Sequence, residues 1–189
     1  EWKFVVGSRR VIKTESDGAH WYSTDIWSDY AQKHNLADAL PKGVMVYGEL
    51  IGYTPDGEPI QKGYTYDLAP GQARLLVYRV TVAGADGTHY DLSDTAMREF
   101  CDQRGLAVVP LLASFSRDEG DLLKEFLVGL TDTKFMEAED GLFIERPVPL
   151  SPDSPCDEGV VIRAEGITPH VAKFKNPRFY EHESRAADR

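Results

Sequence analysis

The chain has 189 residues, carries a formal net charge of −10 at neutral pH and is 42% apolar. That length builds one domain with a real core and is short for two, so a single domain spanning residues 1–189 is expected. The acidity excludes a generally basic, nucleic-acid-coating surface, and no stretch approaches the roughly 20 apolar residues of a membrane span.

In chain order, Trp2 to Val6 reads as a strand, and Asp25 to His34 as a helix because Ile26, Trp27, Tyr30, Ala31 and His34 recur at helical spacing. Pro41-Lys42-Gly43 is a turn before a strand from Val44 to Tyr53, rich in β-branched and aromatic residues and interrupted by Gly48 and Gly52. A polar loop runs from Gln61 to Gln72. Leu75 to Val82 is a second strong strand, and Asp86-Gly87 turns into the short segment Thr88 to Leu92.

A helix follows, with Ser93 or Asp94 as N-cap and Gly105 as its stop. Leu106 to Ala113 reads as a buried strand despite Pro110. Leu122, Leu123, Phe126, Leu127 and Leu130 mark an amphipathic helix, and Gly141 to Glu145 a short strand. A Pro- and Asp-rich loop, Pro147 to Asp157, precedes two closing strands, Gly159 to Ala164 and Val171 to Lys175. Strands and helices mix without regular alternation, which predicts one α+β domain.

The cysteines, Cys101 and Cys156, are far apart, and the five histidines form no H-x-x-x-H pair. No zinc site or disulfide framework is expected, and a reducing cytoplasm is. No basic-then-apolar leader is visible, and because residue 1 is Glu the chain is read as processed or truncated. Positive charge gathers in two places, Lys3, Arg9, Arg10 and Lys13 near the start and Arg163, Lys173, Lys175 and Arg178 near the end. If these ends meet they make a local basic site on an acidic body; otherwise they solvate separate surfaces.

Four segments hold the residues suited to chemistry. Arg9 and Arg10 follow a Gly-Ser step at the end of an apolar segment, where a guanidinium can fork onto a phosphate or ribose. Glu49 follows Gly48 within an apolar strand, and a carboxylate there needs a partner or water. It suits a ribose hydroxyl. Tyr78, on the next strong strand, is either core or a platform for a base. Glu158 opens the Val160-Val161-Ile162 strand and can hold a metal-bound water. Lys173 and Lys175, two apart on a strand, point to one face and can share the charge of a phosphate. Each of these alone is read as readily as a solvated or structural side chain. Their order is more specific.

Gly48-Glu49, then Glu158-Gly159-Val160-Val161-Ile162, then Lys173-Phe174-Lys175 extended by Asn176-Pro177-Arg178-Phe179, resemble motifs III, IV and V of the covalent nucleotidyltransferases. Ser8-Arg9 resembles the arginine motif that follows the nucleophile. The K-N-P-R-F extension resembles the nick-sealing branch of the ATP-dependent RNA ligases more than the DNA ligases. The resemblance covers nearly the whole chain and implies the ligase and capping-enzyme adenylation fold, mostly antiparallel sheets with flanking helices. It further implies that ATP and Mg2+ are used, that a lysine takes AMP, and that AMP passes to an RNA 5′-phosphate. A 3′-hydroxyl then displaces AMP and joins the ends, as at a nicked duplex.

By resemblance, Arg9 contacts the ribose or donor phosphate, Glu49 binds the AMP ribose and Tyr78 stacks on adenine. Glu158 holds the hydrated magnesium, and Lys173 and Lys175 grip the α-phosphate. Two departures stand out. No K-x-x-G nucleophile motif precedes Arg9, so the AMP-bearing lysine is expected upstream of Glu1 and this chain is not expected to form lysyl-AMP. Arg79 stands where relatives often carry an acid beside the aromatic. A DNA ligase relative, and a nucleotide- or RNA-binding module without catalysis, are the alternative readings.

Overall fold

The computed structural model describes residues 3–8, 12–13, 25–61 and 63–187. Its contacts divide into two compact units, residues 1–62 with 68–108, and residues 63–67 with 109–189.

The first unit begins with a two-residue antiparallel ladder, β1 (Val6–Gly7) with β2 (Ile12–Lys13). The expected strand from Trp2 is shorter than its apolar pattern: Lys3 to Val5 lie outside β1, and Trp2 is outside the described residues. Helix α1 (Ile26–Lys33) is capped by Asp25, whose carboxylate accepts from the Ser28 N–H and, at 2.7 Å, from its hydroxyl. A single-turn helix, α2 (Leu36–Ala39), follows.

Strands β3 (Val44–Gly52), β4 (Ala73–Ala83) and β5 (His89–Asp91) form an antiparallel sheet in that order. Their β-branched and aromatic residues favour a pleated, half-buried surface. Helix α3 (Asp94–Asp102) is capped by Ser93, whose hydroxyl accepts from the Ala96 N–H. It presents Met97 and Cys101, one turn apart, to Val77 and Val80 of β4, and these four are the centre of the unit's core. Removing a side chain of Met97's size from such a core costs about 2–5 kcal/mol.

In the second unit, α4 (Gly120–Asp132) buries Leu130 and sets Phe126 against Phe115 and Phe143, with ring centroids 5.6 and 6.2 Å apart. A 3-10 turn, Phe135–Glu137, precedes the proline-rich loop. Strands β6 (Gly159–Ala164) and β7 (His170–Lys175) form an antiparallel hairpin. Helix α5 (Pro177–Ala187) closes the described chain, and its Phe179 packs on Leu150, Cys156, Tyr64 and Tyr66.

Three expectations fail here. The segment from Leu106 to Ala113 is irregular: Val108 makes one parallel bridge to Val77, and no ladder follows. Pro110 lacks the N–H that a ladder needs. Gly141 to Glu145 is no strand either. The Ile144 and Glu145 N–H groups instead donate to the carbonyls of Leu112 and Leu111 at 2.9 and 3.0 Å, a local crosslink of two loops. Helix α5 falls where no helix is expected from the sequence. The α+β class holds, with antiparallel sheets, and among the described residues no helix is long and apolar enough to cross a membrane.

Candidate functional site

In the first unit the ladder between β3 and β4 steps from Tyr47↔Arg79 to Gly48↔Val77, leaving Tyr78 without a cross-strand partner. This is a β-bulge, a device that re-aims a side chain out of its alternation. Tyr78 accordingly stands 48% exposed between the fully buried Val77 and Val80. Gly48 is the residue the bulge needs. A Cβ there would lie 2.8 Å from both the Leu75 Cδ1 and the Leu76 carbonyl oxygen. The Gly-Glu dipeptide therefore has a packing reason for its glycine, and Glu49 follows on the exposed surface of the strand.

Arg79 uses its fork within the same sheet. Its Nε and Nη2 donate to the two carboxylate oxygens of Asp91 on β5, the Nη2 bond at 3.0 Å, and its guanidinium lies 4.9 Å from the Tyr47 ring centroid. The basic residue beside Tyr78 is thus satisfied by Asp91 rather than left over from the pattern.

In the second unit Gly159 has a φ of +138°, and a Cβ there would lie on the Phe174 carbonyl oxygen and 2.9 Å from the Lys175 Cα. Only glycine lets β6 start this close to β7. The register pairs Gly159 with Lys175 and Val161 with Lys173, so both lysines share one face of the hairpin. Glu158 precedes the strand, and its carbonyl accepts from the Asn176 N–H at 2.8 Å, which continues the pairing past Lys175.

The outcome is a carboxylate between two ammonium groups. Glu158 Oε1 is 2.8 Å from Lys173 Nζ and 4.0 Å from Lys175 Nζ. The lysines differ in setting: the Lys173 side chain is 58% exposed and that of Lys175 is 20% exposed. Lys175 donates to Glu183 Oε2 of α5 at 3.0 Å and lies 4.8 Å from the ring centroids of both Phe179 and Tyr180. The Glu183 hydrogen bond, with the nearby charges of Glu183 and Glu158, holds Lys175 protonated above the usual lysine range despite its partial desolvation. Burial first, then the charges of Glu183 and Glu158, raises the Tyr64 phenol and keeps it neutral.

Helix α5 has a local cause. The Asn176 side-chain oxygen accepts from the Arg178 N–H at 3.0 Å, and its carbonyl accepts from the Phe179 N–H at 3.0 Å. Asn176 is therefore an N-cap and Pro177 the first helical residue, the position where a missing N–H costs nothing. Phe179 and Glu183, one turn apart, then face Lys175 together.

The structure brings Glu158, Lys173 and Lys175 together within one unit, and sets Glu49 and Tyr78 on adjacent strands of the other. Arg9 lies outside the described residues. Sequence reasoning missed Glu183, Tyr180 and Tyr64. The Asn-Pro step was the signal for a helix that would carry Glu183 back to Lys175.

One unit thus holds a hairpin with two lysines beside a glutamate, and the other a bulged sheet with an exposed tyrosine and an exposed glutamate. The chain matches the RNA ligase family model over residues 3–179 and belongs to the RNA ligase family. Comparison with curated proteins and with solved structures gives no match.

Proposed function

We propose that this chain is the nucleotidyltransferase domain of an ATP-dependent RNA ligase that joins 5′-phosphate and 3′-hydroxyl RNA ends, through ligase-AMP and RNA-adenylate. The observation that carries the reading is Glu158 held between Lys173 and Lys175 on a hairpin that only Gly159 permits, in a chain of this family.

In this reading the two lysines neutralise the α-phosphate as the bond to its leaving group breaks, since enzymes of phosphoryl-type transfer work mainly by positioning and charge stabilisation. Glu49 takes the ribose hydroxyls, Tyr78 stacks on adenine, and Arg9 meets the ribose or the donor phosphate. Among the described residues no cluster of three metal-ligating side chains exists. In this reading Glu158 supplies the one carboxylate that would hold Mg2+, an ion that keeps several of its own waters, and bound there Mg2+ would supply further neutralisation of the phosphate. Residues 1–7 hold no K-x-x-G motif, so this reading puts the AMP-bearing lysine upstream of Glu1. Two free, buried thiols fit a reducing, cytoplasmic setting.

Competition binding tests the substrate class. ATP is expected to displace a fluorescent adenine nucleotide at lower concentration than GTP, and 5′-phosphorylated RNA to compete better than the matching DNA. Equal competition by GTP contradicts the adenine platform, and a preference for DNA ends contradicts the RNA assignment. Covalent AMP left on the chain by ATP and magnesium would contradict the upstream lysine.

A further inference from the structure

The Lys175 ammonium has four near neighbours, and its side chain is only partly exposed. Glu183 Oε2 lies at 3.0 Å, Glu158 Oε1 at 4.0 Å, and the rings of Phe179 and Tyr180 at 4.8 Å. A phosphate that takes the strong, charged hydrogen bond of Lys175 takes it from Glu183, the one carboxylate at hydrogen-bond distance. It also brings negative charge beside two carboxylates that together already match the two lysines, Glu158 and Glu183 against Lys173 and Lys175.

The four partners are not equivalent: Tyr180 is 55% exposed but offers the cation only its ring face, which a phosphate does not replace, so three remain to be weighed. Phe179 is 1% exposed and is part of the unit's core. Glu158 is anchored by the backbone pairing that starts β6 and is bonded to Lys173 at 2.8 Å. Glu183 has a side chain 47% exposed, on a helix two turns beyond the Asn176 cap. It reaches water by a rotamer change alone, at the modest cost of one exposed ion pair.

We propose that Glu183 is a built-in counter-ion that occupies the phosphate position on Lys175, and that a nucleotide phosphate binds there by displacing it. This deepens the ligase reading and rests on it. The device keeps the lysine oriented and charged when no nucleotide is present. It also sets a threshold: an anion of one charge gains little by replacing a carboxylate, whereas a polyphosphate, which also engages Lys173, gains more.

The test is calorimetric titration of the chain with ATP and, separately, with inorganic tripolyphosphate, comparing wild type with Glu183→Gln, Lys175→Ala and the double variant. Glutamine keeps the shape of the side chain and removes the charge that competes. The expected result is binding of both probes tightened roughly twofold to fivefold by Glu183→Gln, the scale of an exposed ion pair. The gain should vanish when Lys175 is also alanine. Glu183→Gln that leaves affinity unchanged or weaker, while Lys175→Ala weakens it, overturns the counter-ion and leaves the ligase reading standing. A wild-type chain whose ATP and tripolyphosphate binding is indifferent to Lys175→Ala overturns the reading itself, and the counter-ion with it. Glu181→Gln on the same helix separates a local contact from general helix charge, and an equal gain there also overturns the proposal.

Discussion

At Gly159 the φ of +138° and the Phe174 carbonyl together exclude a side chain. Gly159→Ala is expected to cost at least about 2 kcal/mol, the scale of a residue forced into glycine-only backbone with a clash added. Lys173 and Lys175 would lose their common face as the hairpin shifts. Chemical denaturation measures the loss, and a variant as stable as wild type would show that the hairpin starts elsewhere. Gly48→Ala is milder, because one of its two close contacts is the flexible Leu75 side chain, but the Leu76 carbonyl must still move. Cys101 makes a different kind of prediction. It is fully buried, and desolvation raises its thiol above the usual value. The folded chain holds the proton longer than the unfolded one, so stability falls as pH rises through the ordinary thiol range. Iodoacetamide at neutral pH is expected to leave Cys101 unmodified in the folded chain and to alkylate it in denaturant, as mass spectrometry would show.

Helix α5 adds Glu183 to the cluster of Glu158, Lys173 and Lys175, and Asn176 starts the helix. Asn176→Ala removes the cap and leaves a buried position unfilled, since Asn176 is 3% exposed. The expected loss is about 1 kcal/mol or somewhat more, smaller for Asn176→Asp, which keeps a capping oxygen. Denaturation midpoints that do not separate the two variants would contradict the capping role. This element also marks where sequence reading stops. Helices α1, α3 and α4 repeat their apolar residues at helical spacing, and strands β3, β4, β6 and β7 are short runs rich in β-branched and aromatic residues, so each is legible on its own. Helix α5 is not, because among its described side chains Phe179 is the one fully buried apolar anchor and most of the others are polar or charged. The run from Leu106 to Ala113 misleads in the opposite sense: it is apolar without alternation, and after one bridge from Val108 to Val77 the hydrogen bonds of Leu111 and Leu112 go to the loop at Ile144 and Glu145. The pairing of Glu158 with Lys173 is not legible from register, which sets Lys173 opposite Val161 and Glu158 beside Asn176. Nor is that of Glu183, since its place depends on the reversal at Asn176-Pro177. The bulge at Tyr78 was equally hidden, because a register step leaves no mark in composition.

Over the whole molecule, the net charge of −10 and the paired state of the cations set how RNA is met. Each of the four cations in the later basic cluster has a carboxylate within 4.0 Å: Arg163 with Glu165, Lys173 with Glu158, Lys175 with Glu183 and Arg178 with Asp132. A phosphate that meets an already paired lysine releases fewer condensed ions than one that meets a bare lysine. The salt dependence of binding 5′-phosphorylated single-stranded RNA is therefore expected to be shallower than a log–log slope of about −1.4, the value for two unpaired lysines. Affinities measured across a salt series check this, and a steeper slope would reveal a basic footprint that the pairing conceals. The central claim, that the lysine pair and Glu158 serve strand joining, is tested most directly with an RNA donor already carrying 5′-linked AMP, because its sealing to a 3′-hydroxyl acceptor needs no lysine nucleophile. With magnesium present, joined product is expected from the wild-type chain, with a loss of at least about 10-fold in Lys175→Ala, the scale of one charged contact to a reacting phosphate. Joined product that survives unchanged in Lys175→Ala, or no product from the wild-type chain, would contradict that claim.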